Sequence, residues 1–392
     1  MSAVPDDLGA WLTESLAPAW AARAADPGRP GYLEVIDAAG RPDLGPRRTT
    51  LVTARLVYAF SHAACLSPRP DLLAAARHGL DFLLHRCRAE DGAFLHAVTA
   101  DGTPLDRKTD LYDLAFVLFG LAWHHRATGD PEAPRIAEAT MGFIETRLAA
   151  PEGGFLEDSL GTRPRRQNPH MHLLEACHAW AEATGTARWL ARADALVALL
   201  HDRLLDRAGT LGEFFTDDWR PAPGAAGRRR EPGHHCEWTW LLHAHARLSG
   251  DERARSTADR LHGFALAHGV ARMPDGLPIL VDGVDPNGRV VAATRLLWPQ
   301  TEALKADVAR HEAGDSGATA RIEDWLALIF RHYVDAGTGL WHNQLSVEGE
   351  PLPIALPTRV LYHLVLAVAE AARARAPSVR PASRPGPPRP AG

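Results

Sequence analysis

Apolar residues recur along the chain at spacings of three and four, as in Leu72, Ala75, Ala76, Leu80, Leu83 and Leu84, the period of a helix with one buried face. The pattern predicts twelve helices, at 7–24, 48–66, 71–88, 109–128, 131–148, 169–185, 187–205, 233–249, 251–268, 293–312, 316–334 and 357–375. Ala, Leu, Arg and Glu fill them, all strong helix formers. Stop signals recur at one place in the pattern: Thr128-Gly129-Asp130-Pro131, Thr184-Gly185-Thr186 and Ser249-Gly250-Asp251. Each lies between an even-numbered helix and the next odd one, and a turn that short makes an antiparallel helix hairpin.

The two sets of helices differ in polarity. Even-numbered ones are apolar on nearly every side, as in Leu114-Ala115-Phe116-Val117-Leu118-Phe119-Gly120-Leu121-Ala122. Such a helix requires burial all round. The even helices are therefore expected to form an inner ring and the odd ones an outer ring, which makes an all-α (α/α)6 barrel of six hairpins. Connections from odd to even helices run to about 20–28 residues and carry turn-plus-strand patterns, for example Asp91-Gly92-Ala93-Phe94 and Glu152-Gly153-Gly154-Phe155. Short β-hairpins are expected there, all at one end of the barrel. Residues 1–375 read as a single catalytic domain, because each repeat needs its neighbours to bury its apolar face. Residues 376–392, rich in Pro and Arg, read as a disordered tail.

Composition narrows the function. A net charge of −5 gives no basic footprint for nucleic acid, and Arg228-Arg229-Arg230 reads as a solvated loop. Four cysteines without paired spacing read as reduced thiols. No stretch is apolar for long enough to span a bilayer, and no signal peptide is visible, so a cytoplasmic protein without a membrane partner is expected. A monomer or homodimer is expected.

The chemistry sits at the helix starts, about 60 residues apart. The six starts are Thr53-Ala54-Arg55, Asp110-Leu111-Tyr112, Asn168 through Glu175, Pro232-Gly233-His234 through Trp238, Trp298-Pro299-Gln300-Thr301-Glu302, and Tyr362-His363. If the barrel closes, they converge on one pocket. His172 with Glu175, and His234 with Glu237, are three apart and share a helix face. Two chemistries fit: each Glu orients its His for proton transfer, or both pairs bind metal with further carboxylates such as Glu302. Arg55 is costly to bury unpaired, so it is expected either to pair with a carboxylate such as Glu302 or to polarise a substrate oxygen. Trp298 is expected to wall the pocket. His235, beside His234, is expected to point elsewhere.

Together these segments, in this order and spacing over about residues 10–372, resemble the N-acylglucosamine 2-epimerase superfamily, which includes mannose isomerases and cellobiose 2-epimerases. The resemblance implies an (α/α)6 barrel and metal-independent 1,2-proton transfer on reducing sugars. It implies His234 and His363 as acid and base, His172 for ring opening or holding sugar oxygens, and Arg55 for polarising C1/C2 oxygens. The expected set is thus His234, His363, His172 and Arg55 as catalytic residues. Tyr112, Asn168, Glu175, Glu237, Trp298 and Glu302 are expected to bind substrate, with no metal and no cofactor. Pro357-Thr358-Arg359-Val360 departs from the pattern, since many mannose isomerases carry Gly-Lys-Pro there. The leading expectation is an aldose–ketose isomerase interconverting D-mannose, or a related free aldose, and D-fructose through a cis-enediol. The alternative is a 2-epimerase of an N-acylglucosamine, another hexose or a disaccharide. A phosphosugar isomerase is disfavoured by the lack of a Gly-rich phosphate loop. A glycoside hydrolase, which needs two opposed carboxylates, and a non-catalytic sugar-binding protein are the other classes.

Overall fold

The computed structural model describes residues 3–37 and 39–376; of the tail expected over 376–392, all but Ala376 lies outside them. Twelve helices form where the periodicity puts them. They are α1 (8–24), α2 (Thr50–Leu66), α3 (70–87), α4 (Leu111–Thr128), α5 (Glu132–Arg147), α6 (Asn168–Thr184), α7 (187–204), α8 (Pro232–Ser249), α9 (252–269), α10 (Leu297–Glu312), α11 (318–333) and α12 (Leu361–Arg375). One short turn, Ala225–Arg228, was not anticipated.

Even helices form the inner ring. Along α2 every residue from Thr50 to Ala64 is buried, and α4 is buried from Asp113 to Ala122. A fully buried Leu, Val or Phe contributes roughly 1.5–3 kcal/mol, so each inner helix is held by both neighbours and by its outer partner. α2, α4, α6, α8, α10 and α12 pack in sequence, and α12 packs back on α2, closing the ring. Helix-to-helix approach is tight where side chains are small. A Cβ on Gly120 of α4 would sit 2.9 Å from the carbonyl oxygen of Ala54 on α2.

The three predicted stops share one conformation. Gly129, Gly185 and Gly250 each follow an inner helix with φ of 72°, 65° and 80°, a left-handed geometry that ends the helix and turns the chain to the outer ring. The long connections gather at the opposite end. Some strands pair as local hairpins, as with Ala97–Thr99 on Pro104–Asp106 and Val270–Arg272 on Pro278–Leu280. Others tie one connection to the next: Arg47–Thr49 to Ala97–Thr99, Arg165–Arg166 to Phe214–Phe215, and Arg295–Leu296 to Gln344–Leu345. Val35–Ile36 pairs with Leu356–Pro357, so the rim closes as the helices do.

The repeat also explains histidines outside the site. His170 Nε2 accepts from the backbone N–H of Phe155 at 2.9 Å, and His235 Nε2 accepts from Leu211 at 3.1 Å. Gln300 Oε1 does the same for Leu280 at 2.8 Å. These side chains pin three of the long connections to the helices that follow them. His235 therefore faces away from its neighbour, as expected. The solvated-loop reading of 228–230 holds only in part. Arg230 is buried, bonded to Thr210 Oγ1 at 2.9 Å and Asp206 at 2.9 Å, because its guanidinium ties the two ends of one long connection together. Among the described residues no helix is long and apolar enough to cross a membrane.

Candidate active site

A cavity of about 300 Å³ opens at the end of the barrel that carries the long connections. Arg55, Tyr112, Asn168, His172, His234, Glu237, Trp298 and His363 all line it, from all six inner helices. A larger hollow, about 1360 Å³, lies at the opposite end among the short turns, and of the expected site residues only Glu175 borders it. The chemistry belongs to the smaller cavity, where His172, His234 and His363 meet Arg55.

Each imidazole has a carboxylate on Nδ1. His172 Nδ1 is 3.0 Å from Glu175, whose carboxylate also accepts from Tyr362 Oη at 2.6 and 2.7 Å. His363 Nδ1 is 2.8 Å from Glu302 Oε1. His234 Nδ1 is 2.8 Å from Glu213 and 3.2 Å from Glu231. Glu213 and Glu302 are held below the usual carboxylate range and only accept, so Nδ1 carries the proton in His234 and His363 and Nε2 is the working atom, whereas burial lifts Glu175, beside His172, to about 7. Trp298 stands between two of them, with ring centres 4.9 Å from His234 and 5.8 Å from His363.

Two expectations are corrected here. His234 does not use Glu237, three residues on. Its ring turns back toward the preceding connection, which supplies Glu213, and toward Glu231 just before the helix. Glu237 points deeper, where its Oε1 lies 3.8 Å from His172 Nε2 and lacks a hydrogen-bond partner. Glu175 and Glu302, expected to bind substrate, do not line the cavity; they stand behind His172 and His363 and orient them. Among the described residues Arg55 pairs with neither Glu302 nor any other carboxylate. It donates to Tyr112 Oη at 2.7 Å and lies 4.1 Å over the Phe116 ring, which leaves its charge for a ligand.

Beneath this layer lies Lys305, absent from the expected set. It is fully buried, with Nζ 2.6 Å from Glu302 Oε2 and 4.4 Å from the Trp240 ring centre. The spacing Glu302-x-x-Lys305 is visible in the sequence, but such pairs are usually solvated on a helix surface. Glu213, Glu231 and Tyr362 were also passed over as site members, the first two because they precede the helix.

Electrostatics separate the three rings. Burial disfavours the charged form of His234, but Glu213 and Glu231 outweigh it and hold its pKa up at about 10. Burial dominates at His363 and pulls it down to about 3, against the pull of Glu302. His172 is pushed well below its ordinary value by burial and by the charges of Arg55 and His234. At neutral pH the ring carries one imidazolium, His234, and two neutral imidazoles. Burial would raise Glu302, yet Lys305 and His363 keep it below the usual carboxylate range. Glu237 is driven well above that range by burial and by Glu302, so it stays protonated. Cys236 is likewise held far up by burial and is no thiolate.

Three groups have ligand atoms close enough for an ion: His172, Glu175 and Glu237; Glu213, Glu231 and His234; and Glu237, Glu302 and His363. In each, the imidazole Nδ1 is engaged by a carboxylate, and in the third Lys305 already neutralises Glu302.

The family model described as N-acylglucosamine 2-epimerase (GlcNAc 2-epimerase) matches residues 31–367. The chain belongs to this family. Among N-acylglucosamine 2-epimerase family relatives, it is 34% identical over 383 residues to a mannose-6-phosphate isomerase of Rhizobium meliloti, covering 93% of this chain and 95% of that one. It is 30% identical to a D-mannose isomerase of Thermobifida fusca, covering 85% of each. A cellobiose 2-epimerase of Bacteroides fragilis is 26% identical over 86% of this chain and 90% of its own. The fold agrees with that of a solved D-mannose isomerase, with a TM-score of 0.84 at 22% identity over 95% of this chain and all of the other. A cellobiose 2-epimerase from Spirochaeta thermophila aligns with a TM-score of 0.83 at 27% identity, over 94% and 95%.

Proposed function

We propose that the protein is an aldose–ketose isomerase that interconverts D-mannose, or a related aldose, and D-fructose, with residues 1–375 as one catalytic domain. The observation that carries this reading is the charge split between His234 and His363 on either side of Trp298. Two titratable groups whose surroundings push their pKa values apart mark an acid and a base. His363, neutral with Nε2 free, takes the proton from C2 of the open-chain aldose. His234, an imidazolium, gives a proton to the developing C1 oxygen, producing a cis-enediol. Arg55 and the neutral His172 stabilise the oxygens while negative charge builds. Returning the carbon-bound proton to C1, with loss of the proton from the C2 hydroxyl, gives the ketose. The same groups assist ring opening before the transfer. A mannose-6-phosphate isomerase and a D-mannose isomerase, each matched over most of its length, support this reaction class.

Return of the proton to the opposite face of C2 would make the protein a 2-epimerase, the activity named for the Bacteroides fragilis relative. The cavity of about 300 Å³ favours a monosaccharide over a disaccharide. The reaction proposed needs no cofactor. Incubation with mannose in heavy water, with product analysis, tests it. Fructose carrying deuterium at C1, with turnover insensitive to EDTA, is expected. Glucose as first product would establish epimerisation instead, and hydrolysis of a glycoside without exchange would overturn both. His363→Ala and His234→Ala should each lose at least about 10²-fold in kcat; near-normal rates in either would remove that residue from its role.

A further inference from the structure

Arg359 sits at the lip of the cavity, four residues before His363. The same offset recurs around the barrel. Leu51 precedes Arg55 by four and Asn168 precedes His172, and all of these line the cavity, as does Trp298 one turn before Glu302. Four residues are one helical turn, about 5.4 Å. The site therefore has two layers: a floor of imidazoles and Arg55, and a second layer one turn nearer solvent. A hexose with C1 and C2 on the floor extends its C5 and C6 into that second layer.

Charge is unevenly distributed there. Arg166, which also lines the cavity, is neutralised by Glu157, with Nε 2.7 Å from a carboxylate oxygen. Glu231 is matched by Arg229 at 2.7 Å and by His234. Arg359, exposed at the mouth, has no hydrogen bond or ion pair to its guanidinium among the described residues; Glu34 and Tyr112 act on it only through space. Its backbone carbonyl accepts from Arg55 Nη1 at 3.4 Å, which fixes the segment above the floor. Desolvation at the cavity mouth and the positive charge of Arg55 lower the Arg359 pKa, against the pull of Tyr112 and Glu34, although the residue as a whole remains exposed. Asn168 adds a buried amide whose Oδ1 has no partner. An excess cation facing a sugar-sized cavity, with a planar fork of donors, is suited to an oxyanion.

We infer that Arg359 selects an aldose that carries an oxyanion on its terminal carbon, a phosphate or a carboxylate, over the neutral sugar. This rests on the isomerase reading and names its preferred substrate class. The absence of a Gly-rich loop does not oppose it, because a guanidinium binds such a group without one.

The test measures kcat/KM for D-mannose, D-mannose 6-phosphate and D-mannuronate with wild type and Arg359→Gln. Wild type is expected to favour one or both anionic sugars by at least about 10-fold, the scale of a charge-assisted hydrogen bond. The variant should lose most of that ratio, mainly through KM. The two anionic arms show whether phosphate or carboxylate is recognised. Inorganic phosphate should inhibit wild type competitively and the variant at least several-fold more weakly. Turnover of mannose with no anionic preference, or a preference that Arg359→Gln leaves intact, would overturn the inference and leave the isomerase standing. No turnover of any of the three would bring down both.

Discussion

Replacing Lys305 by Met removes the one ammonium under the site. Lys305 and Glu302 are both fully buried and 2.6 Å apart. At an effective dielectric near 20, that separation gives about 6 kcal/mol of Coulomb attraction. Breaking a buried pair by deleting one partner costs about 3–5 kcal/mol. Glu302 escapes part of that cost by taking a proton, so without the ammonium its pKa rises, with burial no longer opposed by Lys305. A protonated Glu302 donates to His363 Nδ1 instead of accepting from it. The tautomer flips, Nε2 gains the proton, and the base is lost. Lys305→Met should therefore fold with a lowered melting temperature and move the acidic limb of the pH–rate profile upward. Activity at pH 6 should fall at least about 10²-fold and recover partly as pH rises. Adding Glu302→Gln to Lys305→Met should restore some stability, since the orphaned charge is gone, without restoring turnover. An unshifted acidic limb with wild-type kcat would refute the chain from ammonium to carboxylate to tautomer.

Stability should also follow His234. Its folded pKa of about 10 lies above the unfolded value, so its contribution is complete below about pH 6.5 and is lost as pH rises from there through 10; His234→Gln should flatten that alkaline decline in a thermal melt. His235→Ala should leave the pH–rate profile in place but cost about 1–3 kcal/mol of stability, because the buried N–H of Leu211 loses its acceptor; a catalytic loss as large as that of His234→Ala would mean the two rings have been misassigned. Gly120→Ala should destabilise by about 1–3 kcal/mol through the Ala54 carbonyl, and a melting temperature at or above wild type would contradict the close approach of α2 and α4.

Local pattern determined the helices. A period of three to four, with stops at Gly129, Gly185 and Gly250, is written in neighbouring residues and needs no distant partner. The inner and outer rings were legible for the same reason, since an all-apolar helix cannot face water. Arg55, Tyr112, Asn168, His172, His234, Trp298 and His363 were legible as pocket residues because polar groups on such helices need a cavity. The partners of those residues were not. Glu213 comes to His234 from a long connection, and Tyr362 reaches Glu175 across 187 residues. Lys305 looks in the sequence like half of an ordinary surface pair.

What the tertiary structure decided was therefore charge. The sequence names which residues line the cavity, but a pKa depends on burial and on every charge within several ångströms, and ring closure sets both. Only once α12 packs on α2 does Lys305 become buried, Glu302 stay ionised, His363 turn neutral and His234 hold its proton. The helices come from contacts along the chain, whereas the division of the imidazoles into acid and base comes from contacts across the barrel.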